Sequence, residues 1–476
     1  MSKNSSKEGT LVREQAGQIE VTLSIYRNGK RVETADGAYD LVTFLRGFEI
    51  YESIANPCME CRIILEDAGG LIGSLTGTEA FTIQVRTSIK DRIYNFRSYQ
   101  IQSRIRTRQT NETFLVNCVS DEYLINETTN IFGNSEVIFK NETEAGAIVK
   151  KLLGKEFIKS EKKLYIENTI NKQSFISPNW RVFDLIYWMS QRSIRKSSKK
   201  GVMQNGFAFY ENALGFNFKS IDSMIEDIVN QEETSETDVA SGKPKLYTYH
   251  YTPKRMGDPA YDQFNIDRIA FPDEKNFLMG LRHGSWSGYS VGFDPVFITR
   301  SKMGTSTDLS ADAYRYSYAE LWKRMAHLNG GNALNPQQRM DNFSKNAANF
   351  PKRVRYSMIP NQIFDAKFQN NPQRNYEQLV ELQAYQWMRI ESLKQNQLTV
   401  VVPGNFDLYA GSGVNLNIPS TYKEGDTPER DAKYSGRWLI AAVAHKSVGL
   451  TFQTELALMK DSDIPNLSQN QEVSIA

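Results

Sequence analysis

Cysteine is scarce in this chain: three residues in 476, namely Cys58, Cys61 and Cys118. Three thiols cannot build a disulfide framework, so the composition fits a reducing compartment. Cys58 and Cys61 form a C-x-x-C, which could be half of a zinc or redox site, but Cys118 is the one further thiol. The stretch from Pro57 to Leu65 reads as a strand, where positions three apart point to opposite faces. The thiols are therefore read as packed and inert. Histidine is equally scarce: His250, His283, His327 and His445, with no two close enough for H-E-x-x-H or H-x-H. The sequence nominates no catalytic, cofactor-binding or metal-binding residue and no cofactor.

Long apolar runs are missing as well. No stretch approaches eighteen residues, so no transmembrane helix and no membrane partner are expected. Met1 to Gly17 is polar, without the apolar core of a signal peptide, and the first 16 residues read as a disordered terminus. Charge of one sign is not in excess either. A formal net charge of +2 and a pI near 8.1 give no basic signature of a nucleic-acid binder. Neither G-x-S-x-G nor a Walker A loop occurs. Carboxylate pairs for glycoside hydrolysis meet only in space, and nothing points to one. Gly280 to Gly292, with His283, Trp286 and Tyr289, could form a sugar-binding loop; an aromatic connector is the plainer reading.

Aromatic and β-branched residues are plentiful, with 25 Phe, 23 Tyr and 6 Trp. From Gln18 to Glu127 the text alternates in strand-like runs: Glu20–Tyr26, Leu41–Glu52, Cys61–Leu65, Ala80–Thr87, Arg92–Arg106 and Thr113–Asp121. Strands at this spacing predict a sandwich or barrel. A helix is expected over Thr143–Gly154, capped by Thr143, and another from Ser177-Pro178 carrying Trp180, Phe183, Tyr187 and Ile194. Gly206–Tyr210 and Leu214–Phe218 predict a hairpin. Glu226 to Gly242 reads as an acidic loop or linker, and Met303–Asn349 as an irregular insertion with one helix-like core, Tyr316–His327. Arg374–Lys394 has helical periodicity.

Two basic clusters stand out. Arg86, Lys90, Arg92, Arg97, Arg104, Arg106 and Arg108 face only Asp91 in sequence, and alternation would put Arg104, Arg106 and Arg108 on one face of a strand. Arg192, Arg195, Lys196, Lys199 and Lys200 form the second. A solvated face or a salt-bridge set, with the 226–238 loop as one candidate partner, explains them more simply than phosphate contacts.

The last sixty or so residues carry the most information. Val402-Pro403-Gly404-Asn405-Phe406-Asp407-Leu408, Gly413–Ile418, Gly436–His445 and Thr451–Asp461 are strand runs, with a hairpin joint at Lys446–Leu450. This order resembles the C-terminal barrel of baseplate hub proteins from contractile-tailed phages of the T-even type. Ser177–Asp222, with its Phe-rich hairpin and Asp222-Ser223-Met224, looks like the helix-plus-hairpin insert of the same family.

The resemblance implies a mainly β chain with α+β insertions: two barrel-like tail-tube-type β domains plus the helix-hairpin insert. Divided on that basis, residues 17–130 form the first barrel, 131–244 the helix-plus-hairpin domain, 245–300 a β connector, 301–372 the irregular insertion, 373–462 a helix and the second barrel, and 463–476 a polar tail. It implies a homotrimer whose six barrels form a pseudo-six-fold ring, joining a trimeric spike protein to the hexameric tail tube. Tube-initiator proteins and the end of the tape-measure protein are implied partners, with DNA only in transit through the lumen. The expected location is the virion, in the phage tail baseplate, after assembly in the bacterial host cytoplasm. Related rings occur in type VI secretion spike proteins. No enzyme activity is implied. Arg104, Arg106, Arg108, Trp438 and His445 are the candidate subunit or partner contacts. A tail-associated glycan hydrolase or a glycan-binding adhesin is the alternative.

Overall fold

The computed structural model describes residues 15–32, 41–87, 89–132, 143–173, 175, 177–196, 204–231, 233–234, 246–252, 257–272, 276–293, 314–330, 340–351, 353–358, 372–420, 430–448 and 451–464. Lys199, Lys200, residues 232 and 235–238 of the acidic stretch and nearly all of the polar tail lie outside them.

Alternation becomes strand wherever one face can be buried. In Ala80–Arg86, Phe81, Ile83 and Val85 point inward and are buried, while Gln84 is exposed. The first region holds six main strands: Glu20–Arg27 (β1), Leu45–Ser53 (β2), Glu60–Asp67 (β3), Ala80–Arg86 (β4), Arg92–Arg106 (β5) and Glu112–Val119 (β6). They pair antiparallel in the order β1-β4-β5-β6-β3-β2. Leu23, Ile50, Ile63, Phe81, Phe96 and Val116, one from each strand, share one core cluster, so the sheet curls around it.

The next region is α+β. It contains Ala145–Leu153 (α1), Pro178–Arg181 (β7), Val182–Ser190 (α2), Phe207–Asn212 (β8), Gly215–Ser220 (β9) and Ile221–Val229 (α3). The expected hairpin is β8–β9, and its four phenylalanines, Phe207, Phe209, Phe216 and Phe218, pack on α1 and α2. Two expectations need correction. The helix after Ser177 starts four residues later than the Ser-Pro signal suggests. Ser177 donates its hydroxyl to the Ile131 carbonyl, and Pro178–Arg181 pairs with Asn130–Phe132, so tertiary pairing takes the segment that local capping favoured. Trp180 and Ile194 therefore lie outside α2. Helix α1 begins after Glu144 rather than Thr143, because Thr143–Glu144 pairs with Lys172–Gln173.

The remainder alternates between sheet and insertion: Leu246–His250 (β10), Arg268–Ala270 (β11), Ser287–Phe293 (β12), Tyr314–Ser317 (β13), Val354–Met358 (β14), Pro372–Lys394 (α4), Gln397–Pro403 (β15), Gly413–Asn417 (β16), Gly436–Val448 (β17) and Thr451–Met459 (β18). The insertion is more regular than its composition suggests. β13, β12 and β14 form a small sheet, and Tyr316, Tyr318 and Leu321 meet Ala384, Tyr385 and Met388 of α4. The helical reading of Tyr316–His327 is corrected to a strand end followed by the short helix Tyr318–Trp322. β10 and β11, which fall in the stretch read as a connector, belong to the C-terminal sheet, ordered β10-β16-β17-β18-β15-β11. Tyr249, Val400, Leu416, Ile440 and Leu456 share its core.

The chain is thus mainly β with α+β insertions. Among the described residues, no helix is long and apolar enough to cross a membrane, and no group of His, Cys, Asp and Glu could hold a metal ion.

Candidate assembly surface

The strand order is the same in both sheets. Numbering the six main strands of each by position in sequence, both run first, fourth, fifth, sixth, third, second. The fifth strand even breaks its ladder at the same place. The ladder from β5 to β6 shifts between Ser98 and Gln100, and that from β17 to β18 shifts between Ile440 and Ala442. Just before each shift a backbone N–H, of Ser98 or Ile440, donates at 2.9 Å to the residue preceding the fourth strand, Glu79 or Ser412. The first strand differs: β1 is antiparallel to β4, whereas β10 is parallel to β16.

The two sheets are joined edge to strand. β17 outruns β16, which it pairs only over Gly436–Leu439, and Ala442–Lys446 on that same side pairs with Glu49–Ser53 of β2. The result is one continuous sheet. β5 likewise outruns β4, which it pairs only over Arg92–Arg97. Beyond Ser98 that side of β5 has no partner strand among the described residues. Tyr99 and Ile105 are half to two-thirds exposed there. An open edge with exposed apolar side chains is a template for a further strand.

Buried polar groups hold the join. Glu52 of β2 is fully buried; its carboxylate accepts the Ala213 N–H of the β8–β9 turn and the Ala410 N–H of the C-terminal module, both at 3.1 Å. Burial pushes its pKa up to about 7. Glu211 of β8, also fully buried, accepts the Met59 N–H at 3.0 Å, the Ser120 hydroxyl at 2.6 Å and Lys162 Nζ at 2.5 Å. Its pKa is raised by burial, which Lys162 only partly offsets. Arg92 of β5 bonds the Phe406 carbonyl and the Asp407 carboxylate, both at 3.1 Å. Phe406 and Phe452 enter the first core from the second module, their rings 4.4 Å apart. Glu52 and Glu211 face no solvent and so present no substrate site. Alternation offered the one sequence signal for them: Phe48, Ile50 and Glu52, and again Phe207, Phe209 and Glu211, run along buried faces, each putting a carboxylate where an apolar residue belongs.

Of the candidate contacts, Arg104 and Arg106 are brought together on Glu112, at 2.5 and 2.7 Å. Arg108 lies past the end of β5, in the turn to β6. Elsewhere in that run, Arg92 pairs with Asp407 and Arg97 with Asp121, and Arg86 lies near Glu20 and Asp91. Trp438 and His445 are corrected. Both are fully buried, Trp438 in the second core and His445 stacked at 4.6 Å on Phe406, so neither offers a contact surface. Burial holds the His445 imidazole down to about 3, neutral at any ordinary pH. In the second cluster, Arg195 is buried between Glu167 and Glu226. All three cysteines are buried, and burial raises each thiol pKa. Trp286 is buried against Phe277, so the Gly280–Gly292 stretch presents no aromatic platform through that residue.

No protein-family model matches the sequence, and no curated protein matches it. Among solved structures, the chain is similar to the tail protein from Neisseria meningitidis MC58, at 10% identity, over 92% of this chain and 96% of that one, with a TM-score of 0.48. It is similar to the 43 kDa tail protein of prophage MuSo2 from Shewanella oneidensis, at 8% identity, over 92% and 98%, with a TM-score of 0.47. A third is an E. coli component of the type VI secretion system, itself described as similar to T4 bacteriophage tail proteins, at 10% identity, over 87% and 73%, with a TM-score of 0.38.

Proposed function

We propose that this chain is the structural hub of a contractile-tail baseplate, a homotrimeric ring that joins a trimeric central spike to the hexameric tail tube. The observation that carries this reading is the strand order that occurs twice in one chain, with the two copies already joined side by side through β2 and β17. A head-to-tail contact between similar units closes into a ring when its rotation closes. Two similar modules per chain and three chains give six similar positions. Such a ring matches a six-fold tube on one side and a three-fold spike on the other. The sequence resemblance of the C-terminal module and of the helix-hairpin insert points the same way.

The role is mechanical. The ring's partners are the spike, the tube or its initiator proteins and the end of the tape measure, with DNA passing through the lumen, and its place is the virion baseplate. The raised carboxyls Glu52 and Glu211 serve the junction, not a reaction.

Light scattering and electron microscopy of the purified chain, alone and with its spike, test the reading. Three-copy rings with a six-fold outline are expected. A strictly monomeric chain under both conditions refutes it. Binding to or cleavage of surface glycans by the isolated chain would favour the adhesin or hydrolase instead.

A further inference from the structure

Resting on the ring reading, we propose that the open side of β5 around Gln102 receives a strand from a second copy of this chain. That strand is the edge running on from β11 through Phe271 and Pro272. The seam between subunits then repeats the seam inside the chain.

The matched strand orders fix the correspondence. Ser98 and Ile440 occupy the same place, each with the one-residue shift after it, so Gln100–Gln102 stand where Ala442–Ala444 stand. On the other partner, Glu60 pairs with Val119, which pairs with Arg97; Gln397 pairs with Met459, which pairs with Leu439. Glu60 and Gln397 therefore correspond, and so do Arg62 and Thr399. Glu49 lies opposite Arg62, and Ala270 opposite Thr399. Ala270 thus takes the place of Glu49, and Pro272 the place of Tyr51. Tyr51 faces Ala444 across the internal seam, so Pro272 of one copy faces Gln102 of the next.

Three features of the chain fit this. β11 pairs with β15 on one side and with no other strand among the described residues. Phe271 is 53% exposed, and Tyr99 and Ile105 on the receiving strand are 51% and 61% exposed. The proline sits where it does no harm. The Ile54 N–H donates to the Ala441 carbonyl, so by alternation Glu52 and Ile50 donate toward β17 and Tyr51 donates away from it. A proline at that position removes no hydrogen bond from the seam. β5 departs from β17 only after Gln102, where Ser103 takes a φ of 54° and the ladder to β6 shifts again.

The test places Gln102→Cys and Pro272→Cys in one full-length chain. Both positions are exposed, and the natural cysteines are buried, so they do not compete. Mild oxidation with copper phenanthroline takes two protons and two electrons from a facing thiol pair and leaves a disulfide. Under non-reducing conditions, bands at two and three chain masses are expected from assembled protein, and none from either single variant. Three-copy rings without cross-linking overturn the seam and leave the ring standing. A wild-type chain that stays monomeric with its spike overturns both. If the double variant fails to assemble, hydrogen exchange on the wild type decides. By the same alternation the Ile101 amide faces the seam, and its exchange should slow at least about tenfold on ring formation; unchanged exchange overturns the proposal.

Discussion

Glu52 accepts the Ala410 backbone N–H at 3.1 Å across a sequence separation of 358 residues. The same carboxylate holds Ala213 of the hairpin turn. One buried side chain therefore ties together the first module, the insert and the second module, beside the ladder in which β2 joins β17. The ion pairs and fused core around it make the join a packed interior, not a hinge.

The junction should respond to pH through Glu52. Its folded pKa of about 7 lies above the ordinary carboxyl value, so the protonated form is favoured in the fold. That contribution is full below about pH 4 and is lost as pH rises through about 7; it is on the order of 3 kcal/mol. Glu52→Gln removes the titration. Urea midpoints of wild type and variant at about pH 5 and pH 8 should show the wild type losing ground relative to the variant as pH rises. A difference that does not change with pH would show that Glu52 does not titrate in this range.

Arg389 of α4 is the second tie. Fully buried, it meets Asp461 at 3.0 Å and Asp222 at 3.3 Å, and it donates to the Ala326 carbonyl at 2.6 Å. Burial alone would raise the Asp461 pKa, but the His327 hydrogen bond and the Arg389 charge overcome it and hold the group down to about 2. Arg389→Ala leaves two buried carboxylates without their cation. A loss of about 3–5 kcal/mol in chemical denaturation is expected. A loss below about 1 kcal/mol would mean that water or other groups replace the pair.

Phe406 comes from the second module and is buried in the first core. Phe406→Ala should cost about 3–5 kcal/mol, the range for a buried aromatic truncation. Because the two cores share side chains, calorimetry of the wild type should give one transition for both modules. Two separated transitions would contradict the fused core.

Gly411 has a φ of +83°, and a Cβ placed there would lie 2.0 Å from the hydroxyl oxygen of buried Tyr210. Gly411→Ala therefore meets both backbone strain and overlap, and a loss of about 2 kcal/mol or more is expected. Gly411→Ala combined with Tyr210→Phe removes the hydroxyl and should recover part of that loss, measured as a double-mutant cycle.

Local chemistry made much of the chain legible. Period-two alternation marked β4 and β5 to within a residue, and apolar periodicity marked α4, because a strand or helix with one buried face must repeat that face in its text. The same logic failed at Ser177-Pro178, where a strong helix-start signal lost to pairing with Asn130–Phe132. It failed at Trp438 and His445 because a sequence does not state which face of a strand a second module covers. The scarcity of cysteine and histidine by itself gave no reason to expect thiol or metal chemistry.

Tertiary structure alone decided the rest. The repeated strand order leaves no trace as a residue repeat, since a sheet order is fixed by which edges meet and many side-chain sets can fill one curled core. The membership of β10 and β11 in the C-terminal sheet and the meeting of Glu52 with Ala213 and Ala410 were likewise invisible. Those contacts join residues more than a hundred positions apart. Hydrogen bonds that close such loops are set by the global chain path, which no local window of sequence contains.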